Sequence, residues 1–499
     1  MLKSMDRPLW LLTALAAIVH LATAGRYDAM RNELYFIICG RHPDFGYVDQ
    51  PALVPLIAAA TQMFGNSVWL LRLPAVIAVI ALIPLTAALT QLLGGDRRAA
   101  FFAALAASIA PLLVAVSTLL TTETFEPLTW TALAFLVADA VRHDNRRALL
   151  WAGLVAGVAL QMKYGMVIWM IGLIAGLLAT PARRIMLWRE FWLGAGIATV
   201  IVAPSVAWQA AHGWPFLEVT RNHSTGNFTG GPIAFTIVQI MLMNPILAPL
   251  WLAGIAGPFL RADMRSFRFL PIAFVVSAAI IVASHGKDYY LAPAYPTMFA
   301  LGAVACSGLK TWPQRIWIGA ALAMSALAAP VVLPLLDPPL LERYLAATHL
   351  KPRPDEAAGV GAPLTQVFSD ELGWRDFEKQ VAAAYNALPP GDRAHAAIVT
   401  VDYGEAAALD YYGPVDGLPP ALSGQNQYYL WDAHGYDGSV MLHINGRPER
   451  WTRACASSAV VGTFGAPYAM PYETDRPIVL CRGLKANLSD TWERFKHYE

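Results

Sequence analysis

VWLLRLPAVIAVIALIPLTAALTQLLGGDRR, residues 68–98, decides the fold class. The stretch is predominantly apolar from Val68 to Leu93, turns at Gly94-Gly95, and meets Arg97 and Arg98. An apolar run of about 20 residues crosses the hydrocarbon of a bilayer as a helix. Lys and Arg then collect in the loop on the cytoplasmic side. This unit recurs along the chain. About eleven apolar runs precede residue 340, centred on Ala16, Ile80, Ala107, Leu133, Val155, Ile171, Ala198, Leu250, Val276, Phe299 and Ala323. Lys3 and Arg7 stand before the first run. Arg97-Arg98, then Arg142, Arg146 and Arg147, then Arg183, Arg184 and Arg189 follow the second, fourth and sixth. Arg261, Arg265 and Arg268 follow the eighth, and Lys310 and Arg315 the tenth. Every second connection is basic and is assigned to the inside. An odd number of spans then places the C-terminal third outside, in the periplasm of a bacterial inner membrane. A competing reading of the first run is a signal peptide cleaved after Ala22-Thr23-Ala24.

Composition agrees with the membrane reading. The 499 residues are 56% hydrophobic and 14% charged, against about 45–50% and about 25% for soluble domains. A net charge of +1 does not suit a nucleic-acid partner. The sequence contains no GxxxxGKS loop, HExxH or CxxC, so the common nucleotide and zinc signatures are absent. Of the four cysteines, Cys455 and Cys481 fall in the polar C-terminal part, where one disulfide or two buried thiols are equally open.

Polar residues gather in the outward connections: residues 25–50, TTETFEP (121–127), residues 211–233 and SHGKDYY (284–290). Function concentrates in loops held by a rigid scaffold. After Asp337 the character changes, with Pro338, Pro339, Pro352 and Pro354 reading as a linker. The expected organisation is a transmembrane domain over 1–336 and a small periplasmic α/β domain over 337–499. AIVTVDYGEAAALDYYG (397–413) reads as strand, turn and helix; SVMLHING and ASSAVVGTFG read as strands.

Charged side chains at membrane depth are costly and mark sites, although those at helix ends can snorkel. Glu33, Asp49, Glu123, Glu126, Lys163 and Lys287 all fall in outer loops or at outer helix ends. Glu33 and Asp49 are candidate bases or positioning anions; a solvated loop acid is the plain alternative. Glu123 and Glu126 suit helix capping as well as a site. Lys163 and Lys287, the latter beside Tyr289 and Tyr290, suit phosphate neutralisation, against snorkelling and an interfacial aromatic belt. Arg221 is a further phosphate candidate. Outer carboxylates leave a divalent metal open.

Nine stretches in order resemble glycosyltransferase family 39, the group of protein O-mannosyltransferases, lipid A aminoarabinose transferases and bacterial RgtA/B/C/D-like enzymes. They are RNELYF (31–36), FGYVDQPA (45–52), LRLPAV (71–76), TFEPLTW (124–130), MKYGM (162–166), APSVAWQAAHGWPFLE (203–218), GKDYYLAPAYP (286–296), VDYGEAAALDYYG (401–413) and LSGQNQYYLW (422–431). The similarity is strongest to the bacterial RgtA/B/C/D-like branch. It implies a GT-C fold, a polyprenyl-phosphate sugar donor and inversion at the anomeric carbon. The family's first outer loop carries an Asp-Glu pair whose Asp is the base. Here the pair reads Asn32-Glu33, and a neutral amide takes no proton; Glu33 or Asp49 is left for that role. The acceptor is a glycan, lipid A or another lipid, or a protein. The rival classes are a membrane carrier of lipid-linked sugars and a non-catalytic glycan-assembly protein.

Overall fold

The structure, a computed structural model, describes residues 6–223, 230–352 and 360–499. Lys3, Arg353, Pro354 and residues 224–229 of the expected loop over 211–233 lie outside them. The chain is mostly helical, with a small C-terminal sheet. A helix covers each of the eleven expected centres. By length and composition, however, three of the described helices could cross a membrane alone: Val68–Leu92, Arg189–Ala211 and Trp312–Val332. Two bent pairs raise this to five, Met166–Leu178 with Pro181–Leu187 at 111° and Gly231–Leu242 with Pro245–Leu260 at 105°. Eleven full spans are therefore not confirmed by helix length and composition. An apolar run counts composition, whereas a helix ends where its hydrogen-bond ladder is interrupted. Proline interrupts it: helix Arg97–Ile109 stops just before Pro111, where a six-residue helix begins.

The described chain divides into two compact units. The first comprises residues 1–26, 69–207 and 227–335. Its core stacks Trp130 on Trp169 at 5.4 Å between ring centroids, and the Trp169 indole donates to the Trp130 carbonyl at 3.1 Å. Helices Ala248–Leu260 and Tyr295–Ala305 meet through Gly254 and Gly302. A Cβ on Gly254 would overlap the Met298 carbonyl, and one on Gly302 the Leu250 carbonyl. Small residues at such crossings let backbones approach without a hydrophobic drive between the helices.

The second unit comprises residues 27–68, 208–226 and 336–499. Residues 27–68 and 208–226 thus group with the C-terminal part, which begins at residue 336. Five strands form one sheet: β1 (Ala396–Thr400), β2 (Ala421–Ser423), β3 (Val440–Ile444), β4 (Cys455–Phe464) and β5 (Arg476–Leu484), in the order β2-β1-β3-β5-β4. β1 is parallel to β2 and β3, while β5 runs antiparallel to β3 and β4. Helix Tyr403–Tyr412 follows β1 as the sequence suggests. Its N-terminus is capped by Asp402, which accepts the Gly404 N–H, and by Glu405, which accepts the Val401 and Asp402 N–H groups at 3.1 and 3.2 Å.

Cys455 and Cys481 are bonded across the β4–β5 pair, which resolves the two openings left by the sequence. A cross-link over 26 residues restricts the unfolded chain by about 3 kcal/mol in the chain-entropy picture. Replacing both cysteines by alanine is therefore expected to lower the thermal midpoint of the purified full chain, and a thiol reductant to do the same to the wild type. An unchanged midpoint would remove the stabilising role.

Candidate functional site

Helix Arg31–Arg41 and the loop after it belong to the second unit. The loop is fastened at several points. The Tyr47 N–H donates to the Gln50 carbonyl at 2.9 Å, and the Tyr47 hydroxyl to the Cys39 carbonyl at 2.8 Å. The Gln209 amide donates to the Tyr47 carbonyl at 2.8 Å, and the Val48 N–H to Gln427 Oε1 at 3.1 Å. Asp49 sits at the tip, half-buried. Its Oδ1 accepts from the Tyr35 hydroxyl at 2.9 Å, and the Tyr35 oxygen accepts the Gln427 N–H at 3.1 Å. Tyr35 is wedged against Tyr403, ring centroids 4.6 Å apart. Burial pushes the Asp49 carboxyl up to about 6, against the opposing pull of the Tyr35 hydroxyl. A carboxylate of that basicity, oriented by a relay and still reachable from solvent, can take a proton near neutral pH.

Glu33 and Asn32 sit differently. Glu33 is fully buried in the first turn of its helix, where its carboxylate accepts the Met30 N–H at 2.9 Å. That bond satisfies a donor the helix start leaves open. Asn32 Oδ1 accepts the Tyr403 hydroxyl at 2.7 Å. Arg221 is exposed on helix Pro215–His223 of the same unit.

The other candidates lie in the first unit. Lys163 terminates helix Arg146–Met162, and its ammonium donates to Glu123 Oε1 at 3.0 Å and Glu126 Oε2 at 3.1 Å. It also lies 4.4 Å from the centroid of the Tyr290 ring. Burial raises the Glu123 carboxyl, but Lys163 pulls harder, and the balance leaves it at about 2. Lys163 thus already carries two counter-charges. Lys287 stands 5.7 Å from the centre of the Tyr289 ring, and Tyr289 packs edge-on to Tyr290 at 5.1 Å. No ion pair of Lys287 occurs among the described residues. Nor, among them, do three or more His, Cys, Asp or Glu side chains converge as a metal-binding set.

Sequence reading missed Tyr35 and Gln427, although both lie inside quoted motifs. Tyr35 and Asp49 are 14 residues apart and Tyr35 and Gln427 are 392 apart, and no local periodicity links such positions. For Glu126, which suits a cap or a site by sequence, the pairing with Lys163 depends on a contact 37 residues away.

Comparison with known proteins places these features. Residues 49–208 match the family described as dolichyl-phosphate-mannose-protein mannosyltransferase. ArnT from Cupriavidus metallidurans bound to undecaprenyl phosphate is 16% identical, with 94% of this chain and 97% of that chain covered, at a TM-score of 0.61. The apo form of that ArnT superposes at 0.62 with the same identity and coverage. The mycobacterial arabinofuranosyltransferase AftD is also 16% identical, over 96% of this chain and 42% of that one, at 0.52. No curated protein sequence matches. The structural likeness, at this identity, shows the fold. On its motifs, its matched segment and its shared fold, the chain is a membrane protein of GT-C architecture that resembles glycosyltransferase family 39.

Proposed function

We propose that this protein is an inverting glycosyltransferase that moves a sugar from a polyprenyl-phosphate donor to an acceptor hydroxyl on the periplasmic side of a bacterial inner membrane. The observation that carries the reading is Asp49, a half-buried carboxylate raised to about 6 and aimed by Tyr35. Asp49 takes the proton of the acceptor hydroxyl. The acceptor oxygen bonds to the anomeric carbon as the bond from that carbon to the phosphate oxygen breaks, and the electron pair leaves with the polyprenyl phosphate. Within the first unit, Lys287, with Tyr289 and Tyr290, has the chemistry to bind an anionic phosphate. Lys163, in the same unit, is the cation of a carboxylate-bound triad. Glu33 is assigned to the helix start rather than to the base role, because it is fully buried there. The Cys455–Cys481 bond supports an oxidising location for the second unit.

The test is transfer of a labelled sugar by the purified protein from synthetic polyprenyl-phosphate sugars, with nucleotide sugars as controls. Transfer from the lipid donor alone is expected. A protein that moves the intact lipid across vesicles and never cleaves it is a carrier, and the reading falls. The rate also carries a pH signature. Asp49 must be ionised to act, so kcat/KM is expected to fall about tenfold per pH unit below about 6 and to flatten above it. A profile flat from pH 5 to pH 8 would rule Asp49 out as the base.

A further inference from the structure

Helices Arg7–Thr23, Arg97–Ile109 and Trp312–Val332 begin, and helix Val68–Leu92 ends, around a cavity of about 400 Å³ in the first unit. Pockets that hold small ligands run from about 300 to 1,000 Å³. The transfer chemistry proposed above uses none of the residues that line it. Its charged lining is Arg97, Arg98 and Arg315, with Asp6 as the acid. Asp6 is taken, its Oδ1 lying 3.0 Å from Arg97 Nη1. Among the described residues, neither the Arg98 nor the Arg315 guanidinium has an ion pair or a hydrogen-bond partner. Three cations thus share the cavity with one carboxylate, and two of the three are unspent. The side-chain amides of Gln91 and Gln314 add neutral donors to the lining.

The rest of the lining is apolar. Leu9 and Ala100 belong to a buried cluster with Val79, Ile83, Ala87 and Ala104. Phe101 and Ile318 also line the cavity, and their helices are held together by Phe102, packed edge-on to Trp317 at 5.0 Å. Two of the helices carry exposed apolar faces: Leu11, Leu15 and Ile18 on the first, Trp312 and Ile316 on Trp312–Val332. Only 6% of the apolar window of Trp312–Val332 is buried by the protein. In a bilayer, acyl chains cover such faces. A ligand in the cavity therefore meets cations on one side and lipid-facing helices on the other. The three arginines also belong to connections that the alternation of basic loops assigns to the inner side.

We propose that this cavity holds the phosphate of an anionic phospholipid from the leaflet that meets the basic connections, with Arg98 and Arg315 on the phosphate and the acyl chains along the exposed faces of the two helices. The site stands independently of the transferase reading. A guanidinium fork matches phosphate oxygens through two parallel hydrogen bonds, and basic pockets between membrane helices on that side suit lipid headgroups. A soluble phosphate would use the arginines and gain nothing from the apolar faces. A zwitterionic lipid would gain the faces but bring an ammonium of its own into a cluster that is already cationic.

The test is lipid binding to the purified full chain in neutral detergent, read by native mass spectrometry. The probes are phosphatidylglycerol, phosphatidylcholine with the same acyl chains, and inorganic phosphate. Phosphatidylglycerol is expected to bind at least tenfold tighter than phosphatidylcholine, and inorganic phosphate at the same concentration to leave it in place. Arg98→Gln combined with Arg315→Gln is expected to erase the preference; both side chains are exposed, so the fold does not depend on them. Arg147→Gln combined with Arg183→Gln removes two exposed arginines outside the cavity and is expected to leave the preference intact. Equal binding of the two lipids by the wild type overturns the site. So does displacement by inorganic phosphate, which would make it a soluble-anion site. An equal loss in both double variants also overturns it, because the attraction would then come from the basic surface as a whole.

Discussion

Asp49→Asn is expected to lower transfer from a polyprenyl-phosphate sugar by about 10²–10⁴-fold, the usual contribution of a positioned general base. Asparagine keeps an oxygen for the Tyr35 hydroxyl, which donates to Asp49 at 2.9 Å, so the loop stays in place. What is lost is the ability to take a proton. The same substitution gives a second, opposite readout. The folded-state value of Asp49, about 6, lies above its ordinary value of 3.8. Its contribution to stability is therefore fully present below pH 3.8 and is lost as the pH rises through about 6. Above that, the buried charge costs stability, and asparagine removes the cost. Asp49→Asn is thus expected to unfold at the same temperature as the wild type or higher at pH 7.5, while being inactive. A variant that transfers normally ends the base assignment. One that is inactive because it unfolds early shows a structural acid instead. Tyr35→Phe breaks the same relay from the other side and is expected to slow transfer less, since the carboxylate remains.

Lys163→Met is expected to cost about 3 kcal/mol of stability, the loss typical when one partner of a buried ion pair is removed. The side chains of Lys163, Glu123 and Glu126 are 17%, 22% and 7% exposed. Without the ammonium, two carboxylates face each other in a poorly hydrated site. Glu126→Gln added to Lys163→Met removes one of the uncompensated charges and is expected to restore a large part of the loss. The measurement is the temperature at which the detergent-solubilised protein loses its monomeric peak in size-exclusion chromatography. The competing outcome is equally concrete. If Lys163→Met is as stable as the wild type but needs a much higher concentration of lipid donor, Lys163 contacts the phosphate and the triad is not its main role. Lys287 provides the contrast: its ammonium acts on the neighbouring Asp288 carboxyl at longer range, and no close ion pair of it occurs among the described residues.

Much of this architecture was legible in residues 68–98 and in their echoes along the chain. Apolar runs located eleven helices because hydrophobicity is a property of composition in a short window. Their lengths were not legible in the same way. The helix around Ala107 ends at Ile109, ahead of Pro111, and the run around Leu250 bends by 105° next to Pro245. In the second unit, the capped helix Tyr403–Tyr412 could be foreseen from Asp402 and Glu405, whose spacing is itself the cap. The pairing of Cys455 with Cys481 could not, because a disulfide needs two Cβ atoms brought within reach across a sheet.

Among the acids and lysines, sequence alone determined what chemistry each residue type could perform. It left Glu33 and Asp49 as equals and treated Lys163 and Lys287 alike. Tertiary structure separated them: Glu33 closes a helix, Asp49 is raised and aimed by Tyr35, and Lys163 is claimed by two carboxylates. The reason is one of range. Hydropathy, capping and turn preferences act between residues a few positions apart, whereas burial and charge pairing depend on whatever side chain arrives from 14, 37 or 392 residues away.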